Sequence, residues 1–186
     1  MRGQPDVSGK IAMRERTVSV FGTGRARQGD HIYTLAYDVG KALALAGFTI
    51  ANGGYGGTML AAAKGAAEAG GQVIGVTCSV WKSKANQYVS TEIVTHCLDE
   101  RLDKLIELGG AYVVFNGGTG TLLELAKVWE LKNKGFLDAP KPIILVGDFW
   151  QPLVGLLALD DPDSSRHVQL VADPEQVVEV LVQSAV

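Results

Sequence analysis

The sequence predicts an α/β fold: a single doubly wound, mostly parallel sheet with helices on both faces. Three observations predict it. Short runs rich in Val, Ile and Ala alternate along the chain with longer helical periods. The short runs are apolar throughout, as strands covered on both faces are. Gly47, Gly70 and Gly109 sit where helical runs end, the place of a C′ cap.

Thr17 to Phe21 reads as the first strand, and Asp30 to Ala46 as a helix with Leu35, Val39, Leu43 and Ala46 on one face. Phe48 to Ala51 is a strand, Gly57 to Ala69 an Ala-rich helix, and Gln72 to Thr77 a third strand. A polar segment from Ser79 to Ser90 interrupts the rhythm before a short strand, Glu92 to His96. Leu98 to Leu108 is a helix, Ala111 to Phe115 a strand and Thr121 to Asn133 a helix. Pro142 to Val146 is a strand, Phe149 to Leu157 a helix, His167 to Val171 a strand and Pro174 to Val182 the closing helix. The pattern is that of a Rossmann-like three-layer α/β/α domain over residues 17–186, preceded by a loose arm, Met1 to Arg16.

The 186 residues suffice for one domain with a full core and no metal or disulfide staples. A net charge of −3 disfavours nucleic acid as a partner. No apolar run approaches the ~18 residues of a membrane span. Met1 to Arg16 lacks the apolar stretch of a signal peptide. Cys78 and Cys97 show no metal-ligand spacing and read as reduced thiols. The expectation is a soluble, cytoplasmic protein with no membrane partner, no metal and no cofactor.

Three Gly-rich loops follow strands and should gather at the carboxyl edge of the sheet, where ligands bind in such folds. The third, Asn116-Gly-Gly-Thr-Gly-Thr121, leads into a helix bearing Glu124. Glycines 117, 118 and 120 permit φ > 0 and close backbone approach, and the helix start adds free N–H donors and a positive dipole end. Together with the Thr119 and Thr121 hydroxyls they make a phosphate site, with the Glu124 carboxylate one turn in. The bland alternative is a turn whose Glu124 only complements the helix dipole.

In the first loop, Gly22, Thr23, Gly24 and Arg25 line a nucleotide pocket on this reading. Arg27 stands where a dinucleotide fingerprint needs glycine, and the second strand ends at Asn52 rather than at an acid, so an ordinary NAD enzyme is disfavoured. The second loop, with Gly53, Gly54, Gly56, Gly57 and Thr58, holds more glycine than a turn requires, which favours backbone approach to a ligand. Lys82, Lys84, Asn86 and Gln87 could reach a ligand from the polar segment, but an ordinary solvated loop is the favoured reading. His31, His96 and His167 form no cluster.

Arg101 falls inside the apolar arc made by Leu98, Leu102, Leu105, Ile106 and Leu108. A guanidinium buried there needs a partner. A structural carboxylate, a bound phosphate and an active-site acid such as Glu124 would each serve. The helix after the third loop is apolar nearly all round, with Leu122, Leu123, Leu125, Ala126, Val128, Trp129 and Leu131. Such a helix is buried on more than one side, which predicts a homodimer.

Glu100-Arg101 followed by Asn116-Gly-Gly-Thr-Gly-Thr-Leu-Leu-Glu124 resembles the LOG family, often labelled lysine decarboxylase-like. Its signature is a Pro-Gly-Gly-x-Gly-Thr-x-x-Glu loop preceded by Glu-Arg-Lys. The resemblance runs from Thr17 to Leu153 and takes in Val20-Phe21-Gly22, the second Gly-Gly loop and Gly71-Gln-Val-Ile-Gly-Val76. It implies a dimeric Rossmann-like domain that cleaves the N-glycosidic bond of a nucleoside monophosphate such as AMP, giving free base and ribose 5-phosphate. By position, Arg101 and Glu124 match the catalytic pair, and Gly117, Gly118, Gly120 and Thr121 the phosphate loop. Asn116, Leu102 and Leu123 depart from the motif, as does the segment after the third strand. The alternative on the same fold is a non-catalytic nucleotide sensor or a molybdenum cofactor carrier, which holds a phosphorylated pterin in a similar cleft.

Overall fold

The computed structural model describes residues 16–137 and 140–184. Apart from Arg16, the expected N-terminal arm lies outside the described residues. Seven strands, β1 Thr17–Phe21, β2 Thr49–Asn52, β3 Val73–Cys78, β4 Thr91–Thr95, β5 Ala111–Val114, β6 Ile143–Val146 and β7 Val168–Val171, form one sheet. Its order is β4-β3-β2-β1-β5-β6-β7, and every strand pair is parallel. Among the described residues six α-helices flank them: α1 His31–Leu45, α2 Thr58–Glu68, α3 Leu98–Leu108, α4 Thr119–Asn133, α5 Gln151–Leu157 and α6 Pro174–Gln183. A 3₁₀ helix at Pro162–His167, which the periodicity does not reveal, precedes β7.

Strand side chains divide between two cores, as a pleat covered on both faces requires. Val18, Val20, Ile50, Val113 and Ile144 pack with Val39 and Leu43 of α1, Ala62 and Ala66 of α2, and Val177 and Leu181 of α6. Phe21, Ala51, Val76, Tyr112 and Leu145 pack with Leu102, Leu105 and Ile106 of α3 and Leu125, Val128 and Trp129 of α4. The α1 face is rotated from the expected one: Tyr33, Ala36, Val39, Gly40 and Leu43 are buried while Ala46 is exposed. Among the described residues no helix is long and apolar enough to cross a membrane.

Two of the three expected glycine caps hold. Gly47 and Gly70 have φ of 84° and 80°, and the chain reverses with Phe48 N–H donating to Leu43 O and Gly71 N–H to Ala66 O. Gly109 is a correction, because its φ is −72°. A Cβ there would lie 2.8 Å from Tyr112 Cε1 and 2.9 Å from Ser19 Oγ, so glycine is kept for packing.

Strands β1 and β5 are adjacent although β1 leads by way of α1 to β2 on its other side. This is the topological switch point, where the connections part and leave a crevice at the strand ends. The loop after β1 is fastened on both sides. Thr23 N–H donates to Asn116 O at 2.9 Å, and Thr23 O accepts from Thr58 N–H at 2.9 Å and Thr58 Oγ1 at 3.1 Å.

Helices α1 and α2 cross at a distance only glycine allows. A Cβ on Gly40 would come within 2.2 Å of Ala62 O, and one on Gly65 within 2.0 Å of Tyr37 O. An alanine gains about 1 kcal/mol of helix propensity over glycine, but here it must push the helices apart. Gly40→Ala is therefore expected to lose on the order of 1–3 kcal/mol of stability in urea unfolding, and a gain would contradict the close crossing.

Candidate functional site

A cleft of about 930 Å³ opens at the switch point. Its walls include Gly22, Thr23, Gly24 and Arg25 of the first loop, Gly53 of the second, and Asn116, Gly117, Gly118, Thr119, Gly120 and Thr121 of the third. Arg101 and Glu124 lie in it, with Tyr55, Met59, Trp81 and Phe149.

The third loop works differently from the glycine argument made on sequence. None of Gly117, Gly118 and Gly120 has positive φ. Helix α4 starts at Thr119, two residues earlier than expected, with Gly118 as its N-cap. Gly118 makes no side-chain cap bond, so the first-turn N–H groups of α4 face the cleft with no side chain over them. A Cβ on Gly118 or Gly120 would meet nothing within 4 Å, whereas one on Gly117 would strike Thr121 Oγ1 at 2.1 Å. Gly117 is therefore fixed by packing. Gly118 and Gly120 leave open space over a helix N-terminus, which suits an anion.

The second loop is the main correction. Gly54, Gly56, Gly57 and Thr58 are not among the lining residues, and of the expected second-loop residues Gly53 is. Gly54 and Gly57 have φ of 74° and 67°, and a Cβ on Gly57 would fall 2.1 Å from Thr23 O. Thr58 is fully buried and its hydroxyl is spent on Thr23 O. Asn52, also fully buried, accepts from Gly54 N–H at 2.8 Å and donates to Met59 O at 3.0 Å. Gly57 lets this loop press on the first loop, and Gly54 lets it pack on Thr77 and Gly75 of β3.

Arg101 is buried at 7% exposure, as its place on the apolar arc requires. Its helix α3 is capped by Cys97, whose Sγ accepts from Glu100 N–H at 3.4 Å. Leu98, at the first position of the helix, is exposed. Arg101 Nε donates to Val76 O at 2.8 Å, and the guanidinium carbon lies 5.6 Å from the Tyr55 ring centre and 5.2 Å from that of Trp81. Gly53 makes the room: a Cβ there would sit 1.8 Å from Arg101 Nη2. Nη1 remains for Glu124, whose Oε1 is 3.9 Å away. That is an ion pair too long for a direct hydrogen bond. Burial pushes the Glu124 carboxyl up to about 7, with Arg101 pulling the other way. A carboxyl poised near neutrality in a cleft fits proton transfer.

Tyr55, Met59, Trp81 and Phe149 were not foreseen. The available signals were an aromatic inside a glycine loop, Tyr55, and one inside the polar segment, Trp81. Tyr55 Oη accepts from Cys78 N–H at 2.8 Å, and Asn86 donates to Gly54 O and Tyr55 O at 3.0 and 2.9 Å. The Ser79–Ser90 segment is thereby stitched to the second loop. Of its polar residues, Lys82, Lys84 and Gln87 are exposed and outside the cleft lining. His31 and His96 are exposed, while His167 has a buried Nε2 without a partner, remote in sequence from the cleft loops.

Helix α4 is buried on one side only. Thr121, Leu125, Val128 and Trp129 face the core, while Leu122 and Leu123 are 38% and 43% exposed, with Ala126 exposed beside them.

The model of the SLOG cluster4 family matches residues 15–178. A cytokinin riboside 5′-monophosphate phosphoribohydrolase of Mycobacterium tuberculosis is 34% identical over 145 residues, covering 76% of this chain and 75% of that protein. Among solved structures, the molybdenum cofactor binding protein of Rippkaea orientalis superposes with a TM-score of 0.74 at 28% identity, covering 90% of this chain and 95% of the other. The molybdenum cofactor carrier protein of Chlamydomonas reinhardtii superposes with a TM-score of 0.72 at 27% identity, covering 90% and 96%.

The Glu124 carboxyl carries a pH signature. Its folded-state value of about 7 lies above the ordinary 4.5, so the folded protein binds this proton more tightly than the unfolded chain does. Below the ordinary value both states are protonated and no penalty arises. As pH rises from 4.5 to 7 the folded state loses stability, by about 3 kcal/mol at the upper end. Glu124→Gln is expected to be more stable than the parent at about pH 8, with the difference vanishing at acid pH. A difference independent of pH in denaturant titrations would contradict this burial.

Proposed function

The chain belongs to the SLOG cluster4 family, a LOG-like family, and we propose that it hydrolyses the N-glycosidic bond of AMP-like nucleoside 5′-monophosphates. The products are free base and ribose 5-phosphate. The observation that carries this reading is the Glu124–Arg101 pair, 3.9 Å apart, one turn inside a helix whose N-terminal N–H groups open on the cleft.

The 5′-phosphate sits on the first turn of α4, accepting from backbone N–H groups around Gly118 to Thr121, which anchors the ribose beside Glu124. As the bond from the anomeric carbon to the base nitrogen breaks, the electron pair leaves with the base and positive charge develops on the sugar. Ionised Glu124 stabilises that charge and takes a proton from the attacking water, whose oxygen bonds to the anomeric carbon. The proton balances on the departing base. Arg101, held by Val76 O and two rings, cannot swing away, and it keeps a fixed positive charge beside the carboxylate.

A second reading is favoured by a specific observation, the likeness to two molybdenum cofactor binding proteins at 27–28% identity. On it the same anion site holds a phosphorylated cargo without chemistry. Incubation with AMP and other monophosphates, followed by chromatography, separates the two: free base supports the hydrolase, and binding without release the carrier. In the hydrolase, base release should rise as pH passes through about 7, because Glu124 must be ionised to act. Glu124→Gln should lower release by ~10²-fold or more while AMP binding persists. Unchanged turnover in that variant would sink the assignment.

The open face of α4 at Leu122, Leu123 and Ala126 supports a homodimer through this helix. Leu123→Glu is expected to shift the solution mass toward the monomer in sedimentation, and a parent mass that is monomeric at every concentration would remove the dimer.

A further inference from the structure

The chemical features of the cleft come in a fixed order. At one end is the first turn of α4, with Gly118 and Gly120 leaving space over free N–H groups. Next is Glu124, then Arg101 at 3.9 Å from it. Arg101 in turn neighbours the Trp81 and Tyr55 rings, at 5.2 and 5.6 Å from the guanidinium. From neighbour to neighbour the features are the proposed anion site, acid, cation and aromatic surface. A nucleotide carries its parts in the same order: phosphate, sugar with its glycosidic bond, and planar ring.

Trp81 is 42% exposed and meets Tyr55 edge-on, with ring centres 5.8 Å apart. An indole left this open, beside the exposed Val80, Lys82, Ser83 and Lys84 of its segment, has no role in the core. Its position is nevertheless defined. Trp81 N–H donates to Cys78 O at 3.1 Å, and Asn86 ties the far end of the segment to the second loop. We propose that Trp81 and Tyr55 form the subsite for the planar nitrogen heterocycle of the ligand, with the exposed indole as its stacking surface. The proposal rests on the reading above that the α4 N-terminus holds the phosphate, and it names the recognition element that reading lacks. It also gives the Ser79–Ser90 segment a task, since the residues that set the ring's place hang from it.

Base-on-aromatic stacking is sequence-tolerant and typically changes affinity by about tenfold or more per ring. The other tryptophans, Trp129 and Trp150, are buried at 4% and 6% exposure, so ligand-induced quenching of indole emission reports mainly on Trp81. The test uses Glu124→Gln as background, so that AMP is not consumed, and titrates AMP and ribose 5-phosphate. AMP is expected to quench emission and ribose 5-phosphate to bind without quenching. Trp81→Leu should weaken AMP about tenfold and ribose 5-phosphate less than twofold, and Trp81→Phe should restore most of the affinity. Equal loss for both ligands, no loss for either, no AMP binding at all, or loss only on Phe149→Leu at the opposite wall would each overturn the subsite. Base release by the parent protein is read separately. Its absence with the Trp81 result intact removes the hydrolase and leaves the subsite; its presence with Trp81→Leu indistinguishable from the background does the reverse.

Discussion

Burying a guanidinium dictates the architecture around it. Arg101 is 7% exposed on the inner face of α3, and an unpaired cation there would cost more than a small domain can spare. The surroundings answer from four directions. Val76 O takes the Nε proton, Tyr55 and Trp81 flank the plane, Glu124 supplies the countercharge, and Gly53 withholds a side chain that would collide with Nη2. Those groups come from β3, the second loop, the polar segment and α4. One buried charge thus ties together elements on both sides of the switch point, and it explains why Glu124 is brought into a cleft where its own ionisation is disfavoured.

The glycines divide by purpose rather than by loop. Gly22, Gly53, Gly57 and Gly117 are held by contacts that a Cβ would break, with Thr58, Arg101, Thr23 and Thr121 respectively. Gly118 and Gly120 face open space and have ordinary φ. Packing and backbone conformation account for the first set, whereas the second leaves volume over the start of α4 that a ligand can enter. The proposed anion site thus draws on the open volume at Gly118 and Gly120 as well as on resemblance, and the helix that starts there leaves Leu122 and Leu123 exposed.

The same contacts order the cleft. The first loop is clamped between the second and third by three hydrogen bonds of its Thr23 backbone. The end formed by the first and third loops is thereby fixed, while Trp81 at the aromatic end sits on a segment tied down at Asn86 and Ser90. On the proposed hydrolase reading, such a cleft anchors the part common to all substrates at one end and leaves the distinguishing part to the other.

The fold was legible in the residues almost throughout, because apolar strands and helical periods are local properties. Every strand and α-helix expected from periodicity is present, and Gly47 and Gly70 cap where they should. Arg101 and Glu124 were legible as well. One is a cation on an apolar arc and the other an acid one turn into a helix after a glycine loop, and both signals survive without coordinates. The role of the second loop was not, since a glycine looks the same in sequence whether it meets a ligand or, as Gly54 and Gly57 do, Thr77 and Thr23. Nor was the aromatic wall, because Tyr55 and Trp81 are distant along the chain and acquire meaning only beside Arg101. Sequence alone determined which elements form and which residues carry charge into the interior. Only the tertiary structure decided what those residues face, because contacts between loops depend on how the strands are ordered in the sheet, and that order is a property of the whole chain.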